Sequence, residues 1–168
     1  MGKWDLSYEL LSALKKALKE LEQTKAELWS CANQKLYQQL NYPVTDAVKE
    51  WSDEIHTLDM LVVEGLKKPY LKNIATSLNC YDDKLGTIRL LKKILETKGI
   101  DNHEVNEIIS PLDEIHLLRT KFAGHSSGKE ADGIRKDLIA KQGDLRKHFR
   151  NLVEKADKSI KELKRIQL

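Results

Sequence analysis

The chain has 168 residues, which suits one domain with its own hydrophobic core. With 40% hydrophobic and 33% charged residues it is too apolar for a disordered chain, and no apolar run approaches the ~18 residues that cross a bilayer. The formal net charge is only +3, but residues 129–168 carry 12 Lys and Arg against 7 Asp and Glu. This basic segment indicates either a solvated lysine-rich helix face or an anionic partner.

The first third of the chain carries a long apolar stripe. Leucine and alanine recur every three or four positions up to Leu40, which is typical of one face of a helix. The pattern predicts a single long helix over residues 5–40. Residues 41–43, Asn-Tyr-Pro, then end it, because the residue before a proline is disfavoured in a helix.

Shorter helices are predicted in the middle of the chain. Thr45 is the expected N-cap of a second helix, and residues 70–78 are expected to form a third after the break at Pro69. Asp82 or Asp83 is expected to cap a fourth helix, with Gly99 at its C-terminal end.

Two helix starts are predicted close together after Gly99. Asp101 caps the first, and Ser110-Pro111 has the features of a second, because serine is a good N-cap and proline is favoured at the first helical position. We therefore expect a kink or a break at Pro111. The helix should stop near Ala123, since Gly124 is a natural residue to follow a helix C-terminus.

The last helix is predicted to begin at a capping box formed by Ser127 and Glu130 and to run to the end of the chain. Together these patterns predict an all-α fold, an antiparallel helical bundle with long first and last helices, forming one domain over residues 1–168. The N-terminus has no signal-peptide pattern. Cys31 and Cys80 have no motif spacing and are expected in the core of a protein in a reducing compartment, so the expected location is cytoplasmic.

A short D-x-x-H pattern occurs twice, in Asp53–His56 and Asp113–His116. Such turns resemble the Glu-x-x-His halves of ferritin-like di-iron bundles. At about 100° per residue, however, the Asp53 turn lies away from the apolar stripe of its helix. We expect solvated turns and neither a metal site nor a cofactor.

Three features coincide around Arg119. Arg119 falls in or beside the buried stripe of its helix, where a guanidinium must find an anion or a carboxylate. His125 follows just past the helix end, where a histidine is expected to titrate. The backbone N–H groups at the start of the next helix, with Ser126, Ser127 and Gly128, form a ready phosphate site.

In this segment the chain resembles the HEPN domain family. Arg119 and His125 fit its R-x(4–6)-H signature with five residues between them. The family often has Asn, Asp or His directly after the arginine, where this chain has Thr120. HEPN domains are all-α bundles of toxin–antitoxin systems, phage defence and CRISPR effectors, and many are metal-independent endoribonucleases.

The resemblance implies RNA transesterification at a site shared by two copies in a homodimer. His125 would act as general base or acid, and Arg119 would stabilise charge on the scissile phosphate. Thr120, Ser126, Ser127 and Gly128 would support the phosphate. The expected contacts to the RNA backbone come from the basic last helix, from Arg146, Lys147 and Arg150.

An alternative from a different class stays open. The chain would then be a non-catalytic helical interaction or dimerisation module, with Arg119 buried against an Asp or Glu and His125 pointing away. In the ribonuclease hypothesis both side chains line an open cleft. The expected partners are RNA, a second copy of the chain, and an antitoxin or other protein, without a membrane.

Overall fold

The computed structural model describes residues 6–122 and 128–168, and within these ranges the chain forms helices and no strand. The helices are α1 (Leu6–Lys25), α2 (Leu36–Gln39), α3 (Val48–Val62), α4 (Lys68–Ser77), α5 (Thr87–Thr97), α6 (Asn102–Phe122), α7 (Lys129–Gln142) and α8 (Leu145–Arg165). The all-α prediction is confirmed. None of these helices combines the length and apolar character needed to cross a bilayer.

The centre of the bundle is built on α6 and α8. Helix α8 packs against α1 and α6, and α3 packs against both α6 and α8. The order of contacts shows that α6 runs antiparallel to α8: Glu104 meets Arg165, Ile108 meets Ser159, and Glu114 meets His148. Helix α6 is also antiparallel to α3, because Trp51 contacts Phe122 while Asp59 contacts His116.

The predicted single helix over residues 5–40 is wrong. Helix α1 ends at Lys25, and only the four-residue α2 follows before residue 41. The chain leaves the helical path so that the Trp29 indole is fully buried, with its N–H donating to the carbonyl of Val62 at 2.9 Å. Trp29 also forms an isolated antiparallel bridge with Leu66, and its ring lies so close to Gly65 that a β-carbon there would overlap it.

The predicted restart at Ser110-Pro111 is also wrong, since α6 continues through Pro111 as one helix. Proline removes one helical hydrogen bond and costs about 3 kcal/mol inside a helix. Here the apolar stripe stays in register across it, and Ile108, Leu112 and Ile115 are all fully buried. Burying three such side chains is worth about 1.5–3 kcal/mol each, which outweighs the loss.

The predicted last helix is two helices. Gly143 has a φ of +94°, a conformation that ends α7. Asp144 then caps α8, and its carboxylate accepts a hydrogen bond from the Lys147 amide at 2.7 Å. The Gly-Asp pair is thus a stop and a start signal that interrupts the leucine repeat. The predicted cap Ser127 lies outside the described residues.

Two other helices begin later in the chain than predicted. Helix α3 begins at Val48 because the Glu50 carboxylate binds the amide and hydroxyl of Thr45, which stays in the preceding turn. Helix α5 begins at Thr87, several residues after Asp82 and Asp83, and the Asp82 carboxylate accepts from the amide of Lys84 in a local turn instead.

Three boundaries are confirmed. Helix α4 covers most of residues 70–78, and Gly99 follows α5 with a φ of +76°. The carboxylate of Asp101 accepts a hydrogen bond from the His103 amide at 2.8 Å at the start of α6.

Candidate functional site

Arg119 lies in the last turn of α6 and is held by two carboxylates. Its Nη1 atom is 3.1 Å from Oδ2 of Asp59 and 2.8 Å from Oε1 of Glu64. The side chain is 29% exposed, so the guanidinium is neither sealed in the core nor free in solvent. The expectation that an arginine on this face pairs with a carboxylate is confirmed.

Asp59 joins Arg119 to a histidine. It lies on α3 with its side chain fully buried, and its Oδ1 atom is 3.1 Å from Nδ1 of His116. Burial raises the pKa of the Asp59 carboxyl, while the hydrogen bond with His116 and the charge of Arg119 act to lower it. The buried carboxylate therefore holds two side chains of α6, one helical turn apart, side by side.

An open cleft of about 560 Å³ lies beside this cluster. It is bounded by the end of α3 and the residues after it, by the start of α5, and by α6. Its apolar wall consists of Val63, Leu66, Ile88 and Leu117. Its polar lining consists of Glu64, Thr87, Arg89, Asp113, His116 and Thr120.

Most polar groups of the cleft have a partner within it. Arg89 pairs with Asp113 at 3.4 Å, and the Thr120 hydroxyl donates to the carbonyl of His116 at 2.9 Å. His116 differs, because its side chain is 50% exposed and only Nδ1 is bonded within the part of the chain that the structure describes. The cleft thus combines an oriented imidazole with an apolar wall.

Three of the predicted site residues, His125, Ser126 and Ser127, lie outside the described residues. Gly128 is described as the exposed N-cap of α7, and no described side chain caps that helix end. Since α7 begins at Lys129, the predicted helix start directly after the motif is confirmed.

The three predicted RNA-binding residues of the last helix lie in the first turns of α8. Arg146 pairs with Asp46, with 3.3 Å between Nε and Oδ1, and the Arg150 guanidinium lies 5.9 Å from the ring centre of Tyr42. Lys147 is exposed. Among the described contacts none of the three reaches Arg119, so the structure does not bring these predicted residues together.

The two D-x-x-H turns have different environments. Asp53 forms an exposed ion pair with Lys49 at 2.6 Å. His116, by contrast, binds the buried Asp59, and sequence analysis missed this pair. The available signal was Asp59 itself, an acidic residue four positions after Ile55 on the buried stripe of α3, where it needs a partner.

The described residues contain no group of three or more His, Cys, Asp or Glu side chains that could hold a metal ion. The cluster around Asp59 contains a histidine and two carboxyl groups, which can transfer protons, and an arginine, which can stabilise negative charge. Comparisons of this chain with protein-family models, with curated proteins and with solved structures find no match.

Proposed function

We propose that this chain is a HEPN-like, metal-independent endoribonuclease or RNA-binding domain, of the kind found in toxin–antitoxin and phage-defence systems. Arg119 would stabilise the charge on a scissile phosphate. His125 would transfer the proton of the ribose 2′-hydroxyl or of the leaving oxygen. The need for a 2′-hydroxyl makes DNA a poor substrate.

One observation carries the proposal. Arg119 is fixed in the last turn of α6 by Asp59 and Glu64 and keeps 29% of its side chain exposed; its partner Glu64 lines the open cleft, whereas Arg119 itself is not among the lining residues. The chain continues from α6 to the segment with His125, and α7 starts at Lys129, where no side chain of the described residues caps the first amides. An arginine held this way is oriented before a phosphate arrives, which is what charge stabilisation requires.

The test is cleavage of a mixed RNA pool with EDTA present, comparing wild type with His125→Ala. We expect His125→Ala to remove most of the rate. His103→Ala is the matched control, because His103 is an exposed residue at the opposite end of α6, with 80% of its side chain in solvent. Equal cleavage by wild type and His125→Ala, or no cleavage of any RNA by wild type, contradicts the endoribonuclease proposal.

Arg119→Lys separates charge from geometry. Lysine keeps the positive charge but lacks the planar fork that binds a carboxylate and a phosphate oxygen together. We expect impaired cleavage, with a loss that does not add to that of His125→Ala, since both side chains act on one transition state. Additive losses contradict a shared role.

We also propose a homodimer, RNA as ligand, an antitoxin or other protein as partner, and a cytoplasmic location. The dimer follows from the resemblance, in which the arginine and histidine of two copies face one another. The two cysteines are free thiols, which fit a reducing compartment. Sedimentation equilibrium at tens of micromolar tests the dimer, and a species of only 19.3 kDa contradicts it.

A non-catalytic interaction module is the second candidate. The observation that favours it is the charge balance at Arg119, since Asp59 and Glu64 together offset the single guanidinium. In that case Arg119 is a link between α3 and α6 and has no role toward phosphate. Protein stability, but no RNA-dependent property, would then change in Arg119→Lys.

A further inference from the structure

His116 has the geometry of a proton-transfer residue. Its Nδ1 is 3.1 Å from a carboxylate oxygen of Asp59, and its ring lines the cleft with 50% of the side chain exposed. When Asp59 is ionised, its carboxylate only accepts hydrogen bonds, and a neutral His116 ring then carries its proton on Nδ1. The lone pair of Nε2 is then left for a ligand.

Asp59 can hold His116 in the Nδ1–H form because its buried carboxyl group cannot turn away into solvent. Its side chain has no exposed surface, and Nη1 of Arg119 lies 3.1 Å from its second oxygen, although that oxygen accepts no hydrogen bond among the described residues. A histidine oriented by a buried carboxylate recurs in proton-transfer sites, where the carboxylate selects the tautomer and stabilises the imidazolium that forms.

The surroundings of His116 fit a nucleotide. Leu117 is 53% exposed and, with Val63, Leu66 and Ile88, gives the cleft an apolar wall that a nucleobase can contact. The charged groups in and next to the cleft are of both signs: three acids, Asp59, Glu64 and Asp113, and two arginines, Arg119 and Arg89, each of which is paired with one or more of these acids. No single sign of charge excludes an RNA strand from the ring.

We infer that His116 is a proton-transfer residue for RNA bound in this cleft, with Asp59 as its positioning residue; the inference rests on the proposed function. Nε2 of His116 accepts the proton of a ribose 2′-hydroxyl as the 2′-oxygen bonds to phosphorus. The bond from phosphorus to the 5′-oxygen breaks, and that oxygen takes a proton from His125, the proton-transfer residue of the proposed function, while Nε2 of His116 afterwards gives its proton to water. The products are a 2′,3′-cyclic phosphate and a 5′-hydroxyl.

The first test reads the ring itself. Nitrogen-15 NMR of the wild type is expected to show the Nδ1–H form of neutral His116, and Asp59→Asn is expected to lose this preference. An RNA hexamer with 2′-O-methyl groups, which cannot be cleaved, should shift the ring signals of His116 and leave those of His103 unchanged. An Nε2–H form in the wild type, or no shift of the His116 signals, overturns the inference.

The second test reads the reaction. We expect His116→Gln to lower kcat by about 100-fold, the usual scale for a lost general base, with a smaller change in KM. The variant should also lose one limb of the pH profile, which a structural role would not alter. Asp59→Asn should lower kcat by about 10-fold, as expected for a residue that acts through another.

The outcomes separate the two proposals. Cleavage that is lost in His125→Ala but unchanged in rate and pH profile in His116→Gln overturns this inference and leaves the proposed function standing. No cleavage by the wild type overturns the endoribonuclease proposal, and the proton-transfer step with it. The NMR measurement uses the wild-type chain, so a misfolded variant does not remove the test.

Discussion

Two histidines of this bundle bind a carboxylate on a neighbouring helix, and they differ in what remains free. His148 on α8 is 1% exposed and uses both ring nitrogens. Trp51 donates to its Nδ1 at 3.3 Å, so the proton must lie on Nε2, which donates to Glu114 at 3.2 Å. His116, which lines the cleft, has a hydrogen bond at Nδ1 and none at Nε2 from the residues that the structure describes.

The comparison teaches that contact with a carboxylate does not mark a functional histidine. Trp51, His148 and Glu114 are joined by hydrogen bonds in which both ring nitrogens of His148 have a partner. These three side chains therefore link α3, α8 and α6. His116 lies at a similar distance from its carboxylate, 3.1 Å against 3.2 Å, but its Nε2 has no partner among the described residues. The number of unused ring nitrogens, and their exposure, is the property that separates the two.

The largest expected effect tests the structural half of this comparison. His148→Ala leaves a cavity and removes the partners of Trp51 and Glu114, so we expect a loss of about 4 kcal/mol in the free energy of unfolding. Urea denaturation followed by circular dichroism measures it. A loss smaller than that of Asp59→Ala would show that the hydrogen bonds of His148 contribute less to stability than those of Asp59.

Asp59→Ala comes next. It removes a buried partner from both Arg119 and His116, but Arg119 keeps Glu64 at 2.8 Å. We expect a loss of about 2 kcal/mol, because the two partners left behind are partly exposed and only hydrogen bonds to a charged group are lost. The matched variant is Asp53→Ala, since Asp53 is an exposed acid of the same helix, with 63% of its side chain in solvent. Equal losses in the two variants would contradict the role given to Asp59.

Glu114→Gln gives a smaller effect that depends on pH. The hydrogen bond from His148, with a contribution from Lys155, holds the pKa of Glu114 below its ordinary value of 4.5. The stabilisation is therefore present above pH 4.5 and is lost as the pH falls through the lower folded pKa. We expect the free energy of unfolding of the wild type to exceed that of the variant by about 1 kcal/mol at pH 7, and this difference to disappear in acid. A gap of constant size contradicts this assignment.

His116→Ala should have the smallest effect on stability. The ring is half exposed, but its loss takes a hydrogen bond from the buried Asp59, beside which Arg119 remains at 3.1 Å, so we expect a loss of about 1 kcal/mol in the same denaturation experiment. A loss as large as that of His148→Ala would mean that His116 is structural too, and the distinction between the histidines would fail.

The sequence predicts what depends on local pattern and misses what depends on pairing. Gly99, Asp101 and the end of α6 are visible because caps and glycines act within a few residues. The long first helix fails because an apolar stripe does not reveal that Trp29 must bury against a segment more than 30 residues away.

The candidate site divides in the same way. The need of Arg119 for a carboxylate follows from its helical face, but its partners come from α3, and their identity is a property of the fold. Asp59 and His116 are 57 residues apart in the sequence, so the repeated D-x-x-H pattern gives no sign of their contact. Taken alone, that pattern indicates a solvated turn.

The contact of Trp29 with Gly65 has a consequence for binding. The residues after α3 are tied down by backbone bonds, with the Ser30 amide donating to Gly65 and the Lys67 amide donating to Leu28. Glu64 and Leu66 thus form a cleft wall that is preorganised by residues that do not touch the cleft. Because this wall is already ordered, binding a ligand there costs little conformational entropy of the protein. The affinity then depends on contacts and desolvation.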